Sequence, residues 1–374
     1  MPIQPIVVVG PFVLSAWVLL LGSTGAAAQE IKKKDAPPVK DLSPKEKQPK
    51  AGPGASLEDP VVASGLAWLA RQQQKDGSWK FDGPSKETVA ATGLALLPFL
   101  AAGEGPNKAK KHRDVVKRGI DWLATNVRRD GRLSDSMYAH AIGTIALCDA
   151  YQMSRTDKLK QSAAAAVGFI VNAQGKNGSW GYTPRTDGDT SIVGWQIQAL
   201  KSAELAGVKF EKDKVYKQAN KFLESVSDNG GSTYGYREKG QSPTLTPVGL
   251  LSRYLTSDLN PKDDAFGKGV EFVKKSPPNK ETFEMYGVYY ATRVLYYQGG
   301  DDWEKFWNPK VRDMLIELQD KEGDDTKGSW PKDKGFIGTQ CGRLGTSSLC
   351  LLTLQTHERY PSLKKDGGKK ELKK

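Results

Sequence analysis

Three stretches of this chain carry the same five-point spacing, an aromatic-aliphatic pair, then Gln, then Gly-x-Trp, and this repetition limits the fold more than any other feature. The clearest copy has Phe169 and Ile170 ahead of Gln174, Gly178 and Trp180. A second runs through Trp68, Leu69, Gln73, Gly77 and Trp79. A third, with a longer loop before the glycine, runs through Leu315, Gln319, Gly328 and Trp330. Glycine permits a positive-φ turn after a helix, and tryptophan clamps the loop over apolar surface.

From Leu57 onward a period of about 50 residues divides the chain into helix-loop-helix units, and six can be drawn. The first pairs VVASGLAWLARQQQ with ETVAATGLALLPFLAAG; in the second, Leu133 replaces the tryptophan of the loop. The fourth has the loop SDNGGSTYGY, and the fifth reduces its loop to SPPNK. First helices such as KHRDVVKRGIDWLATNV carry apolar residues at i, i+3, i+4 and i+7, as a half-exposed helix does. Second helices such as YGVYYATRVLYY are apolar nearly all round and should be buried. Six alternations of this kind close naturally into two concentric rings. An open solenoid of the same pairs is the alternative.

The spaced Gln, Gly and Trp resemble the QW repeat of the terpenoid cyclase and protein prenyltransferase superfamily, the prenyltransferase and squalene oxidase repeat. The resemblance implies an all-α (α/α)6 toroid over residues 57–363. It also implies that Gln73, Trp79, Gln174, Trp180, Gln319 and Trp330 tie outer helices together and do no chemistry.

The ends read differently. An apolar run from Ile6 to Leu21, short for a membrane span, precedes Ala26, Ala27 and Ala28. Residues 1–28 read as a cleaved signal peptide, with an uncleaved anchor as the alternative, so an exported protein, periplasmic or secreted and membrane-associated if the anchor stays, is expected. Residues 29–56 read as a Lys/Pro-rich disordered linker and 364–374 as a second basic tail. The formal charge is +12, of which the linker holds +3 and the tail +4, leaving a mildly basic folded part. No basic face with interleaved aromatics appears, so nucleic acid is not an expected partner; the basic ends suit anionic lipid or cell-wall polymer. Cys148, Cys341 and Cys350 read as small buried hydrophobes with reduced thiols.

In the superfamily, functional residues cluster where a loop ends and an inner helix begins. Here those positions are Glu87 and Thr88, Tyr138 and His140, Asp187, Asp189 and Thr190, Thr244 and Thr246, Glu284 and Tyr286, and Arg343 and Thr346. Class II terpene cyclases use Asp-x-Asp-Asp-Thr, whose middle acid protonates an alkene. The matching stretch is Asp187-Gly188-Asp189-Thr190-Ser191, so one carboxylate is missing in either alignment. An acid of that kind must be held neutral by a neighbouring carboxylate, whereas a lone Asp at a helix N-terminus is driven toward the ionised form. Asp189 or Thr190 therefore reads as an N-cap, set against a catalytic reading in which Asp187 or His140 assists Asp189. His140 reads equally as a core histidine.

Tyr138, Thr190, Trp195, Tyr286, Tyr289, Tyr290 and Arg343 are the candidate lining of a central cavity, where aromatic faces would stabilise a cation or simply fill core. A zinc prenyltransferase is disfavoured. Asp149 adjoins Cys148 in mid-helix, and His357 lies at the far end of its helix, so no metal and no cofactor are expected. Polysaccharide hydrolysis needs two spaced carboxylates, and nothing in the spacing of Asp187, Asp189 and Glu284 singles out a pair. The expectation is a toroid that binds a hydrophobic, isoprenoid-like molecule or a protein partner without cyclase chemistry. The competing expectation is a squalene-type cyclase with Asp189 as general acid.

Overall fold

The structure is a computed structural model and describes residues 55–107 and 111–358. The expected signal segment, the linker up to residue 54 and the basic tail lie outside the described residues. After a single turn at Ala55–Glu58, twelve helices form six pairs among the described residues. They are α1 (Pro60–Arg71) with α2 (Thr88–Ala101), α3 (Arg113–Thr125) with α4 (Met137–Ser154), and α5 (Asp157–Asn172) with α6 (Thr190–Ala206). Then come α7 (Lys212–Ser225) with α8 (Leu245–Leu255), α9 (Asp264–Lys274) with α10 (Met285–Gln298), and α11 (Asn308–Leu318) with α12 (Phe336–Leu354). No described helix is long and apolar enough to cross a membrane.

The even-numbered helices pack side by side in chain order, and α12 returns to α2. The inner ring is therefore closed, which rules out the open solenoid. Each outer helix from α1 to α9 lies against two consecutive inner helices, and a π-helical stretch, Asp302–Trp307, connects α11 to α10. Burial follows this placement. In α2 every residue from Val89 to Leu100 is buried, whereas α7 buries one stripe, Val215, Tyr216, Ala219, Phe222 and Leu223. Each fully buried Leu or Val contributes about 1.5–3 kcal/mol, so the inner ring is the main source of cohesion.

The repeat residues join one unit to the next. The Nε2 amide of Gln73 donates to Gly77 O and Val115 O, that of Gln174 to Gly178 O and Val215 O, and that of Gln319 to Gly328 O and Val61 O. Each glutamine thus binds its own loop to the first turns of the next outer helix, and the last closes the ring onto α1. The indoles of Trp79, Trp180 and Trp330, all fully buried, donate at 2.7–2.8 Å to Leu69 O, Ile170 O and Leu315 O. Those carbonyls lie in the last turn of an outer helix, where the indole adds a second donor to the cap N–H of Gln72, Ala173 or Gln319. The loop glycines Gly77, Gly178 and Gly328 have φ between 90° and 95°, and a Cβ on any of them would collide with the backbone of the next outer helix, at Arg118, Gln218 and Ser64.

Units that lost the motif found substitutes. In the fourth, Tyr234 is fully buried and its N–H reaches Thr246 Oγ1 at 3.1 Å. In the second, His140 takes over the tie: Nδ1 accepts from Leu133 N at 3.1 Å and Nε2 donates to Ala166 O at 3.0 Å on α5. Burial holds the imidazole neutral, pushing its pKa down to about 4. The fifth loop is longer than SPPNK and extends through Glu284, because that residue caps α10. The sixth inner helix begins earlier than expected, at Phe336, and breaks at Gly342, where Asp82 of the first loop enters and caps Arg343 N and Leu344 N. Cys148 and Cys350 are buried and free, as expected; Cys341 is only half-buried.

Two measurements check this construction. Gly178→Ala should cost about 2–3 kcal/mol in urea unfolding, since both φ and the approach of Gln218 oppose a side chain, while Gly168→Ala in α5, with open space at its Cβ, should gain about 0.5–1 kcal/mol. For His140 the folded pKa lies below the unfolded value of 6.5, so its contribution is complete above that pH and is lost as pH falls toward 4. Unfolding free energies measured across that window should fall by up to ~3 kcal/mol more in the parent than in His140→Gln.

Candidate functional site at the mouth of the inner ring

Because every loop of the motif type leads from an outer helix into an inner one, the six inner-helix N-termini lie at one end of the ring. Asp189 caps the third of them. It is fully buried; Oδ1 accepts from Ser191 N at 3.0 Å, Ile192 N at 3.3 Å and the Ser191 hydroxyl. Oδ2 faces the exposed Arg237 guanidinium, an ion pair at 4.0 Å. Thr190 turns the other way, its hydroxyl donating to Gly235 O at 2.7 Å and so joining α6 to the fourth loop.

Tyrosines surround this carboxylate. Tyr138 shares a 2.5 Å hydrogen bond with Ser191 Oγ, and its ring lies 5.8 Å from that of Tyr182. The Tyr182 and Tyr236 hydroxyls meet at 2.6 Å, bridging the third and fourth loops. Burial, and then the Asp189 charge, push the Tyr138 hydroxyl well above its ordinary pKa. Tyr182 is raised mainly by burial and Tyr236 by burial and its bond to Tyr182, with Asp189 adding to both. One hydroxyl of the pair donates to the other, and the second proton is left for the Asp189 carboxylate, which raises both tyrosines by hydrogen bonding as well as by charge.

Below the mouth the lumen is filled. Trp195 stacks on Tyr289 with centroids 5.9 Å apart and meets Tyr290 edge-on at 6.0 Å. Gln198 of α6 reaches across to α10, donating to the Tyr290 hydroxyl at 2.9 Å and accepting from Tyr289 at 2.7 Å and from Arg293. Trp195, Tyr289, Tyr290 and Arg293 are each 3% exposed or less. Tyr286 sits just above, donating to Ser191 O at 2.9 Å. The candidate cavity residues Trp195, Tyr286, Tyr289 and Tyr290 therefore come together as packed core.

Three candidates stand elsewhere. His140 does not orient Asp189, because both ring nitrogens are engaged by Leu133 and Ala166. Asp187 is exposed on the loop and accepts from Asn177 N at 3.1 Å, so it forms no acid pair with Asp189. Arg343 lies outside the lumen, paired with Asp320 and donating to Ser329 Oγ at 2.9 Å in the sixth loop.

A carboxylate pair does exist, between Glu284 and Asp333. Burial raises both carboxyls, and Asp333 adds to the rise at Glu284. All four oxygens accept backbone N–H groups: Tyr286 and Gly287 at Glu284, Gly335, Gly338 and Met285 at Asp333. The pair therefore caps α10 and α12. Asp333 escaped the sequence reading because nothing in its spacing marks it as a cap for two helices at once. Among the described residues no group of three or more His, Cys, Asp or Glu could hold a metal ion.

No family model matches the chain. A stretch of 96 residues is 30% identical to squalene–hopene cyclase of Bradyrhizobium diazoefficiens, covering 23% of this chain and 14% of that enzyme. A stretch of 90 residues is 30% identical to squalene–hopene cyclase of Zymomonas mobilis subsp. mobilis, covering 21% of this chain and 13% of that enzyme. Among solved structures, the fold is similar to an inactive variant of α-1,6-mannanase GH76A of Salegentibacter sp. HEL1_6 (TM-score 0.56, 9% identity, 80% of this chain and 98% of that one). It is also similar to type II terpene cyclase MstE from Scytonema (0.52, 13%, 79% and 97%) and to an α-amylase from Clostridium perfringens (0.55, 14%, 79% and 97%). At these identities the structural likeness is one of fold. The chain is thus squalene cyclase-like in one short stretch and carries the α/α toroid of the terpenoid cyclases, a toroid that glycosidases share.

Proposed function

We propose that this chain is a cyclase-like toroid that does no cyclase chemistry and uses the mouth of its inner ring to bind a protein partner. The observation that carries this reading is the state of Asp189, a helix cap with no second carboxylate beside it. An acid able to protonate an alkene needs a neighbouring carboxylate to share its proton, and here Oδ1 is committed to the backbone N–H groups of Ser191 and Ile192. The filled lumen also argues against an isoprenoid chain threaded through the ring, which moves the binding surface to the rim. There the large hydrophobic side chains that remain exposed are Tyr182, Tyr236 and Phe336, all on loops or helix starts at the mouth. Tyrosines of this kind, apolar on the face and polar at the tip, are enriched at protein interfaces. The apolar run from Ile6 to Leu21, followed by Ala26, Ala27 and Ala28, supports an exported site of action.

One observation favours the cyclase reading instead: Asp189 is fully buried at the mouth, where its charge acts on the hydroxyls of Tyr138, Tyr182 and Tyr236. The full-length protein and Asp189→Asn, incubated with squalene in mild detergent, separate the two. Gas chromatography with mass spectrometry of the organic extracts should show no cyclised product from either; product from the parent that disappears in the variant would overturn the non-catalytic reading.

A further inference from the structure

Two asparagines of the chain are followed by glycine, Asn177 in the third loop and Asn229 in the fourth, and both are exposed. A glycine after an asparagine offers a backbone nitrogen that no side chain shields, so that nitrogen and the side-chain Cγ can meet. The fold treats the two steps differently. Asn177 Oδ1 accepts from Ser179 N at 2.9 Å and from Ser179 Oγ at 2.6 Å, and Gly178 N–H donates to Gly175 O at 3.1 Å, so both reacting groups are engaged. At Asn229 the side-chain Nδ2 makes one long contact, 3.3 Å to Thr233 Oγ1. Gly230 is the second residue of a short 3-10 turn, Asn229–Gly231, whose first N–H groups have no acceptor within it, and the Asp228 cap takes Asn229 N at 2.8 Å instead. Asn229, Gly230 and Gly231 have φ of 50°, 68° and 87°, and a Cβ on Gly230 would meet nothing within 4 Å. Two glycines in succession leave this turn free to rotate. The Asn229 side chain opens onto a cleft against α9 that Lys262 and Lys268 also line, so water reaches it.

We propose that Asn229 modifies itself, and that the product loosens the fourth unit. The Gly230 nitrogen attacks Asn229 Cγ and gives up its proton, the Cγ–Nδ2 bond breaks, and ammonia leaves, closing a five-membered imide. Water then opens the imide. Attack at Cγ leaves aspartate in a normal chain; attack at the Asn229 main-chain carbonyl carbon leaves isoaspartate, with the chain rerouted through Cβ and Cγ. No other reactant enters. Either product places a second carboxylate beside Asp228 and removes the donor to Thr233. Isoaspartate also lengthens the turn, between short strands that pair Ser227 with Tyr234 and Asp228 with Thr233. Tyr234 is the buried ring that stands in this unit where others have the repeat tryptophan, so a distorted turn acts directly on the packing of α8.

The test incubates the full-length protein at neutral and at alkaline pH, then maps its peptides by mass spectrometry with electron-transfer fragmentation, which separates aspartate from isoaspartate. Deamidation at Asn229 should exceed that at Asn177 at least about tenfold, because three hydrogen bonds must open first at Asn177. It should rise with pH and give both products. In urea the two steps should react alike. Gly230→Ala puts a methyl group beside the attacking nitrogen and should lose most of the Asn229 product while Asn177 keeps its rate. Equal rates in the native protein, a difference that persists in urea, or aspartate without isoaspartate would each overturn the inference. The isoaspartyl form, separated by ion exchange, should reach its urea midpoint below that of the parent, and an unchanged midpoint would overturn the loosening.

Discussion

One amide group, repeated, holds the outer layer in place. The side-chain NH2 of a glutamine spans two carbonyls, one in its own loop and one in the next outer helix, at Gln73, Gln174 and again at Gln319. Inner helices that are apolar on every side have to be covered on every side, and a ring of them can be covered only if the outer helices keep register with one another. The glutamine sets that register one unit at a time. At Gln319 the partner is Val61, the start of the chain's first outer helix, so the bond that orders neighbours also closes the circle.

The inner ring meets a different constraint. Its six N-termini gather at one end, and each presents N–H groups that need acceptors. Carboxylates answer this at Asp189, at Glu284 and, from a distance, at Asp82 and Asp333. Acid chemistry asks the opposite of such groups, a held proton and a free oxygen. Where capping uses all the oxygens, as in the Glu284 and Asp333 pair, nothing is left for a ligand. At Asp189 capping takes Oδ1, and Oδ2 faces Arg237.

The parts of the site that could be read in advance were those with a local cause. Asp189 as an N-cap followed from an Asp just ahead of an apolar helical run. The aromatic centre followed from tyrosines on helices apolar all round. His140 was misplaced as a helper for Asp189 because its partners, Leu133 and Ala166, belong to a loop and to an outer helix, and no spacing along the chain relates them. Arg343 was misplaced for a similar reason: Asp320 and Ser329, which hold it, lie on the far side of a long loop. The tyrosine bridge between Tyr182 and Tyr236 joins residues 54 apart and had no signal in the sequence.

The sequence by itself determined the helix pairs, their alternation of half-exposed and buried faces, and the positive-φ turn at each Gly-x-Trp, because periodicity and glycine act within a few residues of their own position. Tertiary structure alone decided whether the array closes, how the lumen is packed, and which side chains meet Asp189. Each of these depends on side chains from different units meeting in space: Gln319 with Val61, Gln198 with Tyr289 and Arg293, Asp189 with Arg237. Such meetings follow from the small rotation between successive pairs summed around six of them, and no single unit contains it.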